Sequence, residues 1–368
     1  MYGRKTLHIF LWPNNERPDA NIFIANNRMN KDTSLELKGV AILLMLLLHL
    51  FNTQERVAEC TTYVQFWNGK PLVYALSRVA GFCVPIYLFV SGYGHAISFR
   101  QGRLNIRHCL QRVFKLYVNF WIIFFLFIPI ACWVKPEAYP GGADIFLLNM
   151  IGLDFSYNAE WWFLLPYVIL SLVSPYLFRA IAKQTEPGNY HIGYAPLLLT
   201  AAVYLLCTTC GKYLPDAVLE HPLVTLCFNT VKLLFVFVGA AAFAFNHWFE
   251  RLLNWRRLKS GLCIMVLMAL CLLRMSLGPS ILNAFFVLAC IPLYVLISRP
   301  IWFKRCLMFF GRHSTNMWLC HTFFAYYLWS EYFYALRFPL LIYVALVMAS
   351  LAVSMLILPI YKKLVQYK

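Results

Sequence analysis

The sequence has few charged residues, and most of those are of one sign. Asp, Glu, Lys and Arg make up 13% of its 368 residues, against about a quarter in an average soluble domain. Only 15 residues are acidic, 32 are basic, and 61% are hydrophobic, with a mean hydropathy of +0.64. So little charge cannot cover the surface of a soluble chain of this length. The composition excludes a soluble domain and predicts an all-α, polytopic membrane helical bundle.

The sequence also lacks a signal peptide and a nucleic-acid-binding motif. Residues 1–33 are polar and lack the apolar core of a signal peptide, so we expect a cytoplasmic tail there. A membrane domain is expected at 34–362 and a basic tail at 363–368. No nucleic-acid-binding motif accompanies the net charge of +17, because the Lys and Arg residues lie in short gaps between apolar runs. No partner nucleic acid is therefore expected.

Apolar runs of about twenty residues predict about ten membrane-spanning helices. They lie near residues 35–54, 75–98, 113–134, 160–182, 193–210, 224–248, 258–275, 279–298, 314–330 and 338–360. Alternate gaps are rich in Lys and Arg, and the gaps between them carry acids instead. By the positive-inside rule, both termini are expected in the cytoplasm. The longest outer gap, near 135–160, predicts either a short interfacial helix or a cap over an outward-facing cavity.

His49 lies deep in the first apolar run, and Lys38 precedes that run. Eleven steps of about 100° return to nearly the same helix face, roughly 16 Å further along the axis. An ionisable side chain in mid-membrane is costly and usually faces a polar cavity. The imidazole can accept a proton near neutral pH. His49 is therefore predicted to be a functional residue, whereas Lys38 alone would also fit a topology anchor.

The second and third spans hold further candidates. Ser91-Gly92-Tyr93 allows close approach of a ligand or of another helix. Arg78, in the same span, is a cation that needs a partner, either structural or on a substrate. Arg112 and Lys115 share one helix face at the start of the third span. That face predicts either positive-inside anchoring or a clamp for a phosphate-bearing donor.

Two later segments place unusual residues near the membrane. Glu160-Trp161-Trp162 opens the fourth span, where Trp is normally an interface anchor and Trp162 could also stack on a sugar ring. His321 follows Gly311-Arg312-His313-Ser314 and lies within the ninth span. It is the second imidazole at membrane depth.

In this order, the segments resemble the acyltransferase-3 family of membrane O-acyltransferases, over roughly residues 34–360. The matching positions are Lys38 and His49; Pro85, Phe89, Ser91, Gly92 and Tyr93; Arg112; Trp162, Phe163, Leu164, Ser174 and Pro175; and Gly311, Ser314, Leu319 and His321. The family usually has Arg at the position of Lys38. Lys is a point charge that cannot make the planar two-pronged contact of Arg.

The resemblance implies transfer of an acyl group, most often acetyl, from cytoplasmic acetyl-CoA to a hydroxyl of a surface polysaccharide or lipid-linked glycan. It places the enzyme in the bacterial inner membrane and implies no metal. His49 would be the general base or would carry an acyl-imidazole, with Arg78, Trp162 and His321 near the acceptor. Donor contacts are implied for Lys38, Ser91, Gly92, Tyr93, Arg112 and Lys115. The main alternative is a transporter or flippase of lipid-linked sugar, which would not need coenzyme A, and a non-catalytic scaffold is the third.

Overall fold

The structure is a computed structural model that describes residues 29–66, 69–215, 221–253, 260–278 and 280–366. Within these ranges the chain is almost wholly helical, and the sheet found there is a single hairpin of β1 (Ala182–Glu186) and β2 (Asn189–Ile192). The α-helices are α1 Lys31–Phe51, α2 Gln54–Ala58, α3 Leu72–Ala80, α4 Cys83–Arg100, α5 Ile106–Val134, α6 Ala143–Ile151, α7 Leu164–Ile181, α8 Tyr194–Cys210, α9 Pro222–Phe245, α10 Trp248–Leu253, α11 Ser260–Ser276, α12 Asn283–Leu296, α13 Ile301–Thr322, α14 Ser330–Tyr334 and α15 Pro339–Gln366. Shorter turns of 3₁₀ helix lie at Ala159–Phe163, Gly211–Tyr213 and Ser280–Leu282, and a π-helical turn lies at Phe323–Tyr327. Most of the predicted tail, residues 1–28, lies outside the described residues.

Six segments of the described chain are long and apolar enough to cross a membrane. They are Lys31–Phe51, Leu72–Arg100, Ile106–Val134, Ala159–Ile181, Pro222–Phe245 and Pro339–Gln366. Three shorter apolar helices are Tyr194–Cys210, Ser260–Ser276 and Ser280–Leu296. The chain is a multi-pass helical membrane protein, which confirms the predicted class. The total of ten spans and the cytoplasmic location of both termini stay predictions.

Two helices begin earlier than hydropathy predicts. α13 begins at Ile301, where the ninth span was expected near residue 314, and α5 begins at Ile106 rather than near 113. Both added stretches carry basic residues, such as Arg305 and Arg107. Hydropathy shows where a helix can meet lipid, whereas the helix itself continues as long as its backbone hydrogen bonds do.

Helix α1 lies at the centre of the bundle, in contact with α3, α4, α13 and α15. Its closest neighbour is α13, because both helices have a glycine where their backbones meet. A Cβ on Gly39 would collide with the backbone of Leu307, and a Cβ on Gly311 would collide with the backbone of Leu35. Small residues allow this close approach between membrane helices. The contact holds the His49 end of α1 beside the His321 end of α13.

The two ends of the bundle differ in character. At one end, the first turns of α1 and α5 and the last turns of α4 and α15 surround a cavity lined by several Lys and Arg residues. We call this end the basic face. The other end, here the opposite face, is built from loops that return to α1 and α7. Tyr334 donates to the carbonyl oxygen of Leu50 at 2.7 Å, and the backbone N–H of Ala159 donates to Tyr327 at 2.9 Å.

The longest predicted outer gap, near 135–160, contains the short helix α6; its interfacial location and its role as a cap stay predictions. α6 packs along the side of α5, where Tyr117 donates to the Ile151 carbonyl at 2.9 Å and Trp121 donates to the Met150 carbonyl at 3.0 Å. These contacts fix α6 against α5.

Candidate active site

A cavity of about 690 Å³ enters the bundle from the basic face. Five of the predicted donor-binding residues line it, namely Lys38, Ser91, Tyr93, Arg112 and Lys115. Further polar lining comes from residues that sequence analysis did not single out, among them Ser34, Arg103, His108, Asn119 and Tyr167. The cavity therefore brings together cations from α1, α5 and the loop between α4 and α5.

The inner end of the cavity is more apolar. Met45, Val90, Phe163 and Trp318 line it there. Met45 lies about one helical turn before His49 on α1. His49 itself is not part of the lining, but Trp318 both lines the cavity and contacts Glu160. The indole N–H of Trp318 donates to the backbone carbonyl oxygen of Glu160 at 3.2 Å. Glu160 belongs to a group of side chains that we call the His49 cluster, namely His49, Arg56, Glu160, His321 and Tyr326.

His49 is 8% exposed and contacts two side chains that come from distant parts of the sequence. Its Nδ1 lies 3.2 Å from Glu160 Oε1 and 3.1 Å from the Tyr326 hydroxyl. When Glu160 is ionised its carboxylate can only accept a hydrogen bond, and Nδ1 then carries the proton of this pair. The lone pair of His49 then lies on Nε2. The arrangement is that of a nitrogen base oriented by a carboxylate.

Tyr326 and Arg56 hold the end of α1 in place. The Tyr326 hydroxyl donates to the backbone carbonyl of His49 through a short hydrogen bond. Arg56 Nη1 lies 2.9 Å from the same carbonyl oxygen and 2.5 Å from the Tyr326 hydroxyl. The guanidinium also lies 3.8 Å from the centre of the Tyr326 ring, a cation–π contact. Tyr326 belongs to the π-helical turn after α13, a feature frequent at functional sites.

His321 is fully buried beside His49, with 5.1 Å between the ring centroids. Its Nδ1 lies 2.8 Å from the Trp318 carbonyl oxygen, to which it donates. The other nitrogen, Nε2, has no hydrogen-bond partner among the described residues. A buried polar atom without a partner is rare and costly, so His321 Nε2 marks a place where a ligand hydroxyl or a water can bind.

The remaining predicted residues lie elsewhere. Gly92 faces α9, where a Cβ at this position would lie 2.6 Å from the Phe237 carbonyl oxygen. Gly92 therefore allows two helices to pack closely and does not line the cavity. Trp162 lines a separate small cavity with Pro166 and Asn229. Arg78 donates to the Leu277 carbonyl oxygen at 2.7 Å, away from the basic cavity. Trp161, rather than Trp162, supports the His49 cluster, because it donates to the Leu319 carbonyl of α13 at 3.0 Å.

Sequence analysis did not assign roles to Glu160, Tyr326 or Arg56. Glu160 could have been recognised from the sequence, because it is an acidic residue at the start of an apolar span and directly precedes two Trp residues. Nothing in the spacing linked Tyr326 or Arg56 to His49. Within the described chain, no group of three or more His, Cys, Asp or Glu side chains is placed to hold a metal ion. The expectation that no metal is needed stays a prediction.

The chain is similar to a known protein family. Residues 33–358 match the model of the acyltransferase-3 family, which is described as "Acyltransferase domain". No curated protein and no solved structure matches the chain. The matched range includes most of the residues that line the basic cavity, and it includes His49, Arg56, Glu160, His321 and Tyr326.

Proposed function

Because the matched family model spans nearly the whole chain, the protein belongs to the acyltransferase-3 family of membrane acyltransferases, and on that premise we propose that it is an O-acetyltransferase. It moves the acyl group of acyl-CoA, held at the basic face, to a hydroxyl of a surface polysaccharide or lipid-linked glycan. The observation that carries this proposal is the His49–Glu160 pair, buried next to the inner end of a cation-lined cavity.

The basic cavity suits the donor. Lys38, Arg112 and Lys115 supply the positive charge that the phosphates of coenzyme A require. The inner part, with Met45 and Phe163, suits the less polar arm that carries the thioester. Ser91 and Tyr93 border the path between these two regions. In this arrangement the acyl carbonyl lies at the inner end, beside His49.

The chemistry follows from the protonation state of His49. Nε2 accepts the proton of the acceptor hydroxyl while the hydroxyl oxygen attacks the acyl carbonyl. The carbon–sulfur bond then breaks, and the imidazolium returns its proton to the departing thiolate. Glu160, 3.2 Å from Nδ1, stabilises the imidazolium that forms in between. General-base catalysis of this kind contributes on the order of 10²–10⁴ in rate.

His321 suits a role toward the acceptor. Its unpartnered Nε2 can accept a hydrogen bond from a second hydroxyl of a glycan that enters from the opposite face. We place the basic face in the cytoplasm of a bacterial inner membrane, with about ten spans and both termini on that side, following the distribution of Lys and Arg.

The decisive experiment is mass analysis of surface glycans from cells with and without this protein. We expect an acetyl-sized loss when the protein is absent. His49→Ala should reduce transfer of labelled acetyl to membrane glycan by at least about 10²-fold, because the base is removed. His191→Ala, in the exposed hairpin, is the matched control and should retain activity.

Unchanged transfer by folded His49→Ala would remove His49 from the mechanism. The same labelled donor distinguishes the two roles of His49. General-base catalysis leaves no label on the protein, whereas an acyl-imidazole would leave acetyl on His49 when the acceptor is withheld.

A further inference from the structure

Arg78 and Arg274 lie side by side, away from the basic cavity. Arg78 Nη1 donates to the Leu277 carbonyl oxygen at 2.7 Å, and Arg274 Nη1 donates to the same oxygen at 2.8 Å. Arg274 is 2% exposed, and its Nε also donates to Asn283 Oδ1 at 2.6 Å. Two guanidinium groups that share one acceptor atom must be close neighbours. The partner expected for Arg78 is thus the Leu277 carbonyl, which Arg78 shares with Arg274.

A third cation lies nearby. The ring of Tyr74 has Lys70 Nζ at 5.4 Å and the Arg78 guanidinium at 5.3 Å from its centroid. We call Lys70, Arg78 and Arg274 the outer cation cluster. It lies where α3 begins and α11 ends, which is the opposite face of the bundle.

The described residues do not neutralise the two arginines. The ion pairs found among them are His49–Glu160, His247–Glu250 and Arg299–Glu36, so no described carboxylate pairs with Arg78 or Arg274. The shared carbonyl lies at the end of α11, where a helix terminus carries only about half an elementary charge. Half a charge does not balance two cations. Arg274 is buried, and a buried charge is costly unless an anion pairs with it.

We propose that the outer cation cluster binds an oxyanion, that is, a carboxylate or phosphate group. Arginine presents several N–H donors in a fork that fits two oxygens of one such group. Within the described chain, Arg78 donates one hydrogen bond, to the Leu277 carbonyl. The other N–H groups of its guanidinium can therefore bind the ligand. The anion comes either from an acidic acceptor glycan or from a lipid headgroup at this face. The site stands whether or not the chain transfers acyl groups.

The test measures binding rather than activity. Wild type and the double variant Arg78→Gln/Arg274→Gln are purified in a maltoside detergent, which carries no phosphate. Their unfolding temperatures are recorded with inorganic phosphate, with glucuronate and with phosphatidylglycerol. Lys135→Gln removes a cation elsewhere on the same face and is the matched control. Repeating the series in Arg112→Ala separates this site from anion binding in the basic cavity.

We expect at least one anion to raise the unfolding temperature of wild type by about 2 °C or more. The double variant should lose this shift, and Lys135→Gln and Arg112→Ala should retain it. A shift with phosphatidylglycerol alone would identify a lipid headgroup, and one with glucuronate or phosphate would identify a soluble acidic group.

Absence of any shift in wild type, or an equal shift in the double variant, would overturn the proposal. If the double variant does not fold, Arg78→Lys replaces it. Lysine keeps the positive charge but lacks the several N–H donors of the guanidinium. Arg78→Lys should therefore show a smaller shift in unfolding temperature than wild type, and an undiminished shift would also overturn the proposal.

Discussion

At the scale of single residues, the site depends on which nitrogen of His49 carries a proton. Glu160 faces Nδ1, and in the proposed mechanism Nε2 is the atom that acts on the substrate. Tyr326 and Arg56 both donate hydrogen bonds to the backbone carbonyl of His49. His49 is therefore restrained at its ring and at its backbone. Such double restraint favours a base whose position does not change during the reaction.

Glu160→Gln tests this arrangement. A neutral amide can donate to Nδ1 and so move the His49 proton to Nε2, where it blocks proton transfer. We expect kcat to fall about 10²–10⁴-fold, with little change in KM for acyl-CoA, because the basic cavity is untouched. Steady-state transfer assays measure both constants. Glu160→Asp keeps the charge and should recover part of the activity, whereas an unchanged kcat in Glu160→Gln would rule out this role of the carboxylate.

The sequence could predict some of these residues but not their partners. The spacing of Lys38 and His49 along one helix face made both candidates; Lys38 lines the basic cavity, and their functional roles stay predictions. The contact of His49 with Tyr326 joins residues 277 positions apart. No periodicity carries that information, because it arises from how α1 and the end of α13 pack. Glu160 was visible as an acid beside an apolar span, but its pairing with Nδ1 was not.

At the scale of elements, the glycine contact between α1 and α13 sets the distance between the two buried imidazoles. Gly39 and Gly311 leave no room for side chains at the crossing, so neither helix can move closer or rotate. Sequence analysis named Gly311 only as part of a motif and gave Gly39 no role. The partner of each glycine is a backbone segment, and hydropathy does not report backbone contacts.

Gly39→Ala should therefore destabilise the protein by about 1–3 kcal/mol, the usual cost of overpacking a tight contact. Because the helices must separate, acetyl transfer should fall as well. Gly261→Ala is the control, since no atom lies within 4 Å of a Cβ at that position, and it should be neutral or slightly stabilising. Denaturation in mixed micelles measures the stabilities. Equal stabilities of the two variants would show that the crossing tolerates a methyl group.

At the scale of the whole molecule, charge is divided between two separate sites. The basic cavity lies at one face, and the outer cation cluster lies at the other. At the sequence level, the net charge of +17 suggested topology, and only the shared helix face of Arg112 and Lys115 suggested a phosphate clamp. Folding adds Lys31 and Arg103 to the cavity and brings Arg78 beside Arg274, which the linear order of Lys and Arg could not show.

Arg112→Ala tests the basic cavity. Loss of a charged donor should weaken coenzyme A binding about tenfold or more at low salt. The difference from wild type should shrink at high salt, where the attraction is already screened. Arg312→Ala removes an exposed cation of α13 that does not line the cavity and should leave affinity unchanged. Calorimetric titration gives both affinities, and identical affinity of Arg112→Ala and wild type at every salt concentration would favour a topology anchor.

The pairing of α1 with α13 also has a consequence for biosynthesis. His49 leaves the ribosome early, but His321 and Tyr326 follow only when most of the chain has been translated. At 5–20 residues per second, this delay is roughly 15–55 s. During that interval the imidazole of His49 lacks its later partners, so on the proposed mechanism we expect nascent chains to stay inert until the penultimate long helix inserts.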